Sequence, residues 1–167
     1  MSVYITFILP TYNEEENIIS LINEIIFLNN EYQIEIIVVD DNPNHKSQSL
    51  VREFSMKERR VRLLNRVGRY GLSSAICEGC LNSTGEIIAV MDSDGQHEVK
   101  SVYQSIKLLL NSDNDIIIGS RFAEGSSISG LSKKKSGSSL ANYFARLTLS
   151  KKYNHISDYM SGSCVFK

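Results

Sequence analysis

Two carboxylates one residue apart mark the sharpest point of this sequence, in Met91-Asp92-Ser93-Asp94-Gly95-Gln96. They follow a run, Glu86 to Met91, that reads as a buried strand, so they leave it together and can converge on one hard cation. Oxygen ligands of this kind suit Mg2+ or Mn2+. Mg2+ seldom sits in an all-protein cage and instead takes one or two carboxylates plus substrate phosphates, so the implied ligand is a diphosphate. The competing reading is an Asp-rich turn, because Asp and Gly are common in turns. A calcium loop between two helices is excluded: loop position six is His97 rather than Gly, and Tyr103 occupies position twelve, where a bidentate Glu belongs.

A second acidic group, Asp40-Asp41-Asn42, ends another apolar run. Acceptor oxygens at a sheet edge suit the N–H and hydroxyl groups of a nucleoside, although a plain strand-ending turn has the same composition. A third feature is a charge asymmetry. Between Arg121 and Lys152 there are seven basic residues and one acid, Glu124. That stretch is either a solvated surface segment or a site for phosphate or anionic lipid headgroups.

The elements that must position these residues alternate along the chain. Val3 to Leu9 is short, apolar and β-branched, and reads as a buried strand. Glu14, Glu15 and Glu16 then open a helix with apolar residues at Ile18, Ile19, Ile22, Ile25 and Ile26, placing acids in its first turn. Further strands are expected at Ile34–Val39, Val61–Leu64, Glu86–Met91 and Asp115–Ile118, and further helices at Ser49–Lys57, Leu72–Cys80 and Val99–Leu110. The strands are apolar throughout rather than alternating, which predicts an α/β fold with a mainly parallel sheet covered by helices on both faces. Ligands of such sheets bind beyond the carboxyl ends of the strands. Residues Pro10 to Glu14, Asp40 to Asn42, Asp92 to Gln96 and Gly119 to Arg121 should therefore line one edge. The serine- and glycine-rich stretch from Gly125 to Ser139 reads as a mobile loop.

Composition narrows the classes. The 167 residues suit one ordinary domain, and 42% hydrophobic content supports a sizeable core. A net charge of −1 argues against a nucleic-acid binder. Three cysteines with no secretion signal point to a reducing compartment. Cys77 and Cys80 lack the second ligand pair that a zinc site needs and fall in an apolar-periodic segment, so they read as helix-packing thiols. No run approaches the length of a membrane span. Dinucleotide binding finds no support, because the first strand leads into Pro10-Thr11-Tyr12-Asn13-Glu14 rather than a glycine fingerprint, and no phosphate-cradling G-x-x-x-x-G-K-[ST] occurs.

Taken in order, Leu9-Pro10-Thr11-Tyr12-Asn13-Glu14, Val38-Val39-Asp40-Asp41-Asn42, Gly71-Leu72, Met91 to His97, Gly119-Ser120-Arg121-Phe122 and Asp158 to Ser163 form a pattern. The chain resembles family-2 glycosyltransferases with the GT-A fold, most closely the dolichol-phosphate mannose synthase and polyprenyl-phosphate glycosyltransferase group. The resemblance runs from end to end and implies a Rossmann-like, mostly parallel sheet in one catalytic domain, residues 1–167. Residues 1–120 would bind the nucleotide sugar, and residues 121–167 would form an acceptor-side part.

By that resemblance Pro10, Tyr12, Glu14 and Asp41 hold the donor's nucleoside, with Arg69 a basic donor-side position. Asp92, Asp94 and Gln96 hold Mg2+ or Mn2+ and the diphosphate. Arg121, Lys134 and Ser138 bind a lipid-phosphate acceptor at the membrane surface, Lys134 standing where the family often has Arg. Asp158 lies near the acceptor, and Asp94, Asp158 and Arg121 are the expected catalytic set. The implied reaction is inverting transfer of a hexose from a UDP- or GDP-sugar to a polyprenyl or dolichyl phosphate, at the cytoplasmic face of a membrane. Two departures stand out: Pro43-Asn44-His45 replaces the family's Ser and Asp-Gly, and the chain stops at Lys167 inside its last motif, as if the acceptor part were truncated. A nucleotidyltransferase and a non-catalytic nucleotide-sugar-binding module remain the alternative functions. Oligomeric state is not encoded in any feature of the sequence.

Overall fold

A computed structural model describes residues 3–12, 14–29, 31–43, 46–68, 71–93, 99–120, 158 and 161–167. Of the expected site residues, Pro10, Tyr12, Glu14, Asp41, Asp92 and Asp158 fall within these, whereas Arg69, Asp94, Gln96, Arg121, Lys134 and Ser138 lie outside the described residues, as does the Gly125–Ser139 stretch.

Six strands form one sheet: β1 (Tyr4–Thr11), β2 (Gln33–Asp40), β3 (Val61–Asn65), β4 (Ile87–Met91), β5 (Ile116–Ile118) and β6 (Ser163–Phe166). Their order is β3-β2-β1-β4-β6-β5. The first four are parallel neighbours, with Phe7 paired to Ile36 on one side and to Ala89 on the other. β6 runs antiparallel to both β4 and β5. Four helices accompany them: α1 (Ile18–Leu28), α2 (Lys46–Lys57), α3 (Leu72–Leu81) and α4 (Val99–Leu110).

The continuous apolar strands are explained by burial on both faces. From Ile5 to Thr11 every residue of β1 is buried, and so is every residue of β2 from Ile34 to Asp40. Alternate residues feed two separate cores. Ile5, Phe7, Leu9, Ile36 and Val38 pack with Ile18, Ile22 and Ile25 of α1, Val51 of α2 and Val102, Ile106 and Leu109 of α4. On the other face Ile8, Ile37, Val39 and Val90 pack with Ala75 of α3. Gly79 makes that second contact possible, since a β-carbon there would lie 2.7 Å from Ile8 Cγ2. Tyr103 joins α4 to α1 by donating its hydroxyl to the Ile25 carbonyl at 2.9 Å, with its ring tilted against Phe7.

Three sequence expectations are corrected. The glutamates 14–16 precede α1 rather than fill its first turn; the Glu14 carbonyl accepts from the amides of Asn17 and Ile18, so the three acids form the turn that leads into the helix. The thiols differ from one another: Cys80 packs against the second core, whereas Cys77 is exposed. The last residues form a strand, β6, which the reading of 158–167 as a motif did not anticipate.

At the amino-end edge of the sheet a buried carboxylate ties three segments together. Glu35 Oε1 accepts from Thr6 Oγ1 at 2.6 Å and from the Thr84 amide and hydroxyl at 2.6 and 2.8 Å, while Oε2 accepts from Arg62 Nη2 at 2.8 Å. Burial alone would raise the Glu35 pKa, but the hydrogen bonds from Thr6, Thr84 and Arg62 outweigh it and hold the carboxyl below its ordinary value. Gly85 lies so close to Thr6 that a β-carbon would meet the Thr6 amide nitrogen at 2.6 Å.

Candidate functional site

Parallel strands put their carboxyl ends on one edge, and β6, running the other way, brings its amino end to the same edge. Thr11 ends β1 and Tyr12 follows it, Asp40 ends β2 and Asp41 follows it, Arg66 follows β3 and Asp92 follows β4. Gly119 follows β5, where its amide donates to the Ser163 carbonyl at 2.9 Å. Gly162 precedes β6. The edge expected from the sequence is thus assembled wherever it is described, and β6 extends it.

A cleft of about 380 Å³ opens there between β1, β2 and the amino end of α3, lined by Pro10, Thr11, Tyr12, Asp41, Gly71, Leu72 and Ala75. Tyr12 is 55% exposed, an aromatic face presented at the rim, while Asp41 is 94% buried. Pro10 is held from behind by Ser93, whose hydroxyl donates to its carbonyl at 2.8 Å. Glu14 is not among the lining residues.

Asp41 is clamped on one side. Its Oδ2 accepts from the Gly71 amide at 3.1 Å and from Arg66 Nη1 at 3.2 Å, and its own amide donates to the Thr11 carbonyl at 3.2 Å. Its Oδ1 lies 3.0 Å from Arg66 Nη1 but is buried without a hydrogen bond. Thr11 Oγ1, in the same lining, is also buried without a partner. Two orphaned oxygens in one cleft are what a ligand with N–H or O–H groups would satisfy, since leaving such atoms unpaired is costly. The neighbouring Asp40 is not part of this arrangement. It is fully buried and spends its two oxygens on the Asn42 amide and the Ser47 hydroxyl, which locks the turn into α2.

Asp92 sits half-buried just past β4, and its amide donates to the Gly162 carbonyl at 3.0 Å. A carboxylate at this edge is an oxygen donor of the type Mg2+ and Mn2+ take, and such ions complete their shells with substrate phosphates, so Asp92 fits the expected cation. Asp158 is 99% buried at the chain segment leading to β6.

Arg66 is the residue that sequence reading missed. The sequence Arg66-Val67-Gly68-Arg69-Tyr70-Gly71 that comes after β3 contains two arginines, and only the fold reveals that Arg66 turns inward. Its place immediately after a strand at the ligand edge was the available signal.

The family model for glycosyl transferase family 2 matches residues 6–167. The dolichyl-phosphate beta-glucosyltransferase ALG5C of Trichomonas vaginalis is 34% identical over 130 residues, covering 71% of this chain and 39% of that protein. The dolichol-phosphate mannosyltransferase of Pyrococcus furiosus is 35% identical over 124 residues, covering 74% of this chain and 35% of its own length. This chain therefore spans well under half the length of these curated relatives. Among solved structures, mannosyltransferase PcManGT from Pyrobaculum calidifontis in complex with GDP-Man and Mn2+ superposes with a TM-score of 0.61 at 22% identity, covering 72% of this chain and 36% of that one. Glucosyl-3-phosphoglycerate synthase from Mycobacterium tuberculosis in complex with Mn2+, UDP and glucosyl-3-phosphoglycerate gives 0.71 at 19% identity, covering 99% of this chain and 57% of that one. With the family model matched over nearly the whole chain and the sheet shared with these transferases, the chain belongs to glycosyl transferase family 2 and has the GT-A fold.

Proposed function

We propose that the chain is the catalytic domain of an inverting glycosyltransferase that moves a hexose from a UDP- or GDP-sugar to a polyprenyl or dolichyl phosphate. The observation that carries this reading is the cleft at the carboxyl ends of β1 and β2, where Thr11 Oγ1 and Asp41 Oδ1 are buried without hydrogen bonds beside the exposed ring of Tyr12. A nucleobase suits it: the ring stacks on Tyr12, and a ring N–H beside a carbonyl, which uracil and guanine both carry, donates to Asp41. The relatives named for dolichyl-phosphate transfer, and the solved transferases holding GDP-Man or UDP with Mn2+, support the donor and acceptor classes.

In this mechanism Asp92, with Asp94 and Gln96, would hold Mg2+ or Mn2+, which when bound neutralises the departing nucleoside diphosphate. Arg69 adds a cation on the donor side. Arg121, Lys134 and Ser138 bind and orient the acceptor phosphate, and Asp158 positions it. A phosphate acceptor is already ionised at neutral pH, so its oxygen attacks the anomeric carbon without a strong base, and orientation and charge neutralisation dominate the rate. One in-line displacement inverts the anomeric centre. Residues 1–120 form the donor part and residues 121–167 the acceptor part of one domain, and its being one domain is supported by β6 sharing a sheet with β4 and β5. Among the described residues no helix is long and apolar enough to cross a membrane. In this proposal the basic stretch 121–152 meets phosphate headgroups at the cytoplasmic face.

Incubation of the chain with labelled UDP- and GDP-sugars, polyprenyl phosphate and Mn2+ tests the proposal. Metal-dependent formation of lipid-linked sugar is expected. Donor binding by calorimetry with no transfer to any phosphate acceptor would reduce the chain to a binding module, and transfer of the nucleotide with release of sugar 1-phosphate would make it a nucleotidyltransferase.

A further inference from the structure

Among the described residues Arg66 is the only buried cation, with its side chain 1% exposed. A buried guanidinium is expensive, and an apolar side chain of similar volume often serves stability as well or better. The cost here falls at one place. Each of its three nitrogens faces a different group around the cleft. Nη1 reaches Asp41 at the end of β2; Nη2 donates to Ser74 Oγ at 2.7 Å; Nε lies 3.1 Å from Glu78 Oε2. Ser74 and Glu78 are four residues apart on α3 and so share a face. The Arg66 amide also donates to the Asp40 carbonyl at 3.0 Å, anchoring the loop to β2.

Arg66 therefore ties together the two walls that line the cleft, Asp41 on one side and the first turns of α3 on the other. Gly71 closes the circuit. Its amide donates to Asp41 Oδ2, and its carbonyl accepts from Ser74 Oγ and from the Ala75 amide. Its φ of +120° suits glycine and resists any side chain. With Oδ2 taking the hydrogen bonds from Gly71 and Arg66, Oδ1 sits 3.0 Å from Arg66 Nη1 in the ion pair and is left as the carboxylate oxygen without a hydrogen bond.

We infer that Arg66 is a positioning residue for base recognition: it orients Asp41 so that a single carboxylate oxygen meets the base, and fixes the spacing between Asp41 and α3. The inference rests on reading the cleft as the nucleoside site. It assigns Arg66 no contact with donor, so its effect on binding must pass through Asp41.

That dependence supplies the test. UDP and GDP binding with Mn2+ is measured by calorimetry for the parent chain, Arg66→Met, Arg66→Lys, Asp41→Asn and the double variant Arg66→Met/Asp41→Asn, with thermal unfolding alongside. Arg66→Met is expected to weaken binding of the preferred nucleotide about tenfold or more, Arg66→Lys to recover part of it, and Arg66→Met to cost less than about twofold when Asp41 is already Asn. A folded Arg66→Met that binds as tightly as the parent, with only its melting temperature lowered, overturns the inference. So does a loss that is undiminished in the Asp41→Asn background. Should Arg66→Met alone not fold, the comparison of Asp41→Asn with the double variant, which buries neither charge, and of Arg66→Lys with the parent decides the same question. Unchanged UDP and GDP binding in Asp41→Asn would remove the nucleoside reading itself, a failure distinct from the loss of Arg66 coupling.

Discussion

Gly162 and Asp92 touch so closely that any side chain at 162 must displace the Asp92 carboxylate: the Asp92 amide donates to the Gly162 carbonyl at 3.0 Å, and a β-carbon built on Gly162 would overlap that carboxylate. The segment leading into β6 thus sets where the first expected metal ligand points. Gly162→Ala should leave the fold in place at a cost of about 1–3 kcal/mol, because the carboxylate can swing aside. The swing should weaken Mn2+-dependent binding of UDP or GDP by about tenfold or more, while binding measured with chelator present is unchanged. Calorimetry with and without Mn2+ checks this, and an unaltered metal dependence would show that Asp92 does not need its present orientation.

Tyr12 offers an exposed ring at the rim of the cleft. Base stacking on such a ring contributes about 1–3 kcal/mol, so Tyr12→Ala should weaken nucleoside diphosphate binding roughly 5- to 150-fold. Tyr12→Phe should be nearly silent, since the face and not the hydroxyl is used. Both are read from fluorescence or calorimetric titrations with UDP and GDP.

Glu35 lies at the opposite edge and should affect stability without affecting binding. Its pKa is lowered in the folded chain from an ordinary 4.5. The folded state therefore favours the ionised form, and the stabilisation is present above the unfolded value and lost as pH falls through the folded one. Glu35→Gln should lower the unfolding free energy by about 2–3 kcal/mol near neutral pH, through weakened hydrogen bonds to Thr6, Thr84 and Arg62. Urea titrations at about pH 7 and about pH 3 should show the gap between parent and variant narrowing in acid. A gap independent of pH would contradict the assignment.

The thiols should separate kinetically. Cys77 is exposed, whereas Cys80 and Cys164 pack against the second core and burial raises both pKa values, that of Cys164 to about 11. Because the thiolate is the reactive form, iodoacetamide near neutral pH should label Cys77 first and Cys164 last. Peptide mass spectrometry over time gives the order. For Cys164 the folded pKa lies above the ordinary 9, so its contribution to stability is intact below about pH 9 and declines as pH rises towards 11.

What the sequence made legible followed from pattern. The apolar runs predicted five strands, and each is found; β1, β2 and β4 are largely buried and so carry a continuous apolar signal, while β3 and β5 are shorter and only partly covered. The four helices followed from their apolar spacing, with α2 beginning three residues earlier than expected, at Lys46. β6 was missed for a physical reason. Ser163-Cys164-Val165-Phe166 is four residues long, with Ser163 and Val165 buried and the other two half-buried, so it carries too little periodicity to announce a strand. It is made one by the vacant edges of β4 and β5. Arg66 was missed because charge in a loop is ordinarily solvated, and only the arrival of Asp41, Ser74 and Glu78 from distant segments shows that it is enclosed. Of the expected donor residues, Pro10, Tyr12 and Asp41 meet in one cleft, whereas Glu14 serves the turn into α1 through its carbonyl.

The position of β6 between β4 and β5 has a consequence for how the protein is born. A chain emerging from the ribosome completes β1, β2, β3 and α3 by residue 81, and with them the whole lining of the cleft. The outer edge of β4 stays bare until residues 163–166 emerge, and β5 has no described strand partner but β6. An uncovered strand edge invites pairing with other chains. The site thus matures in two instalments, the nucleoside cleft early in synthesis and the Asp92–Gly162 contact only with the last strand, and the interval between them is when a nascent chain is most exposed to misassembly.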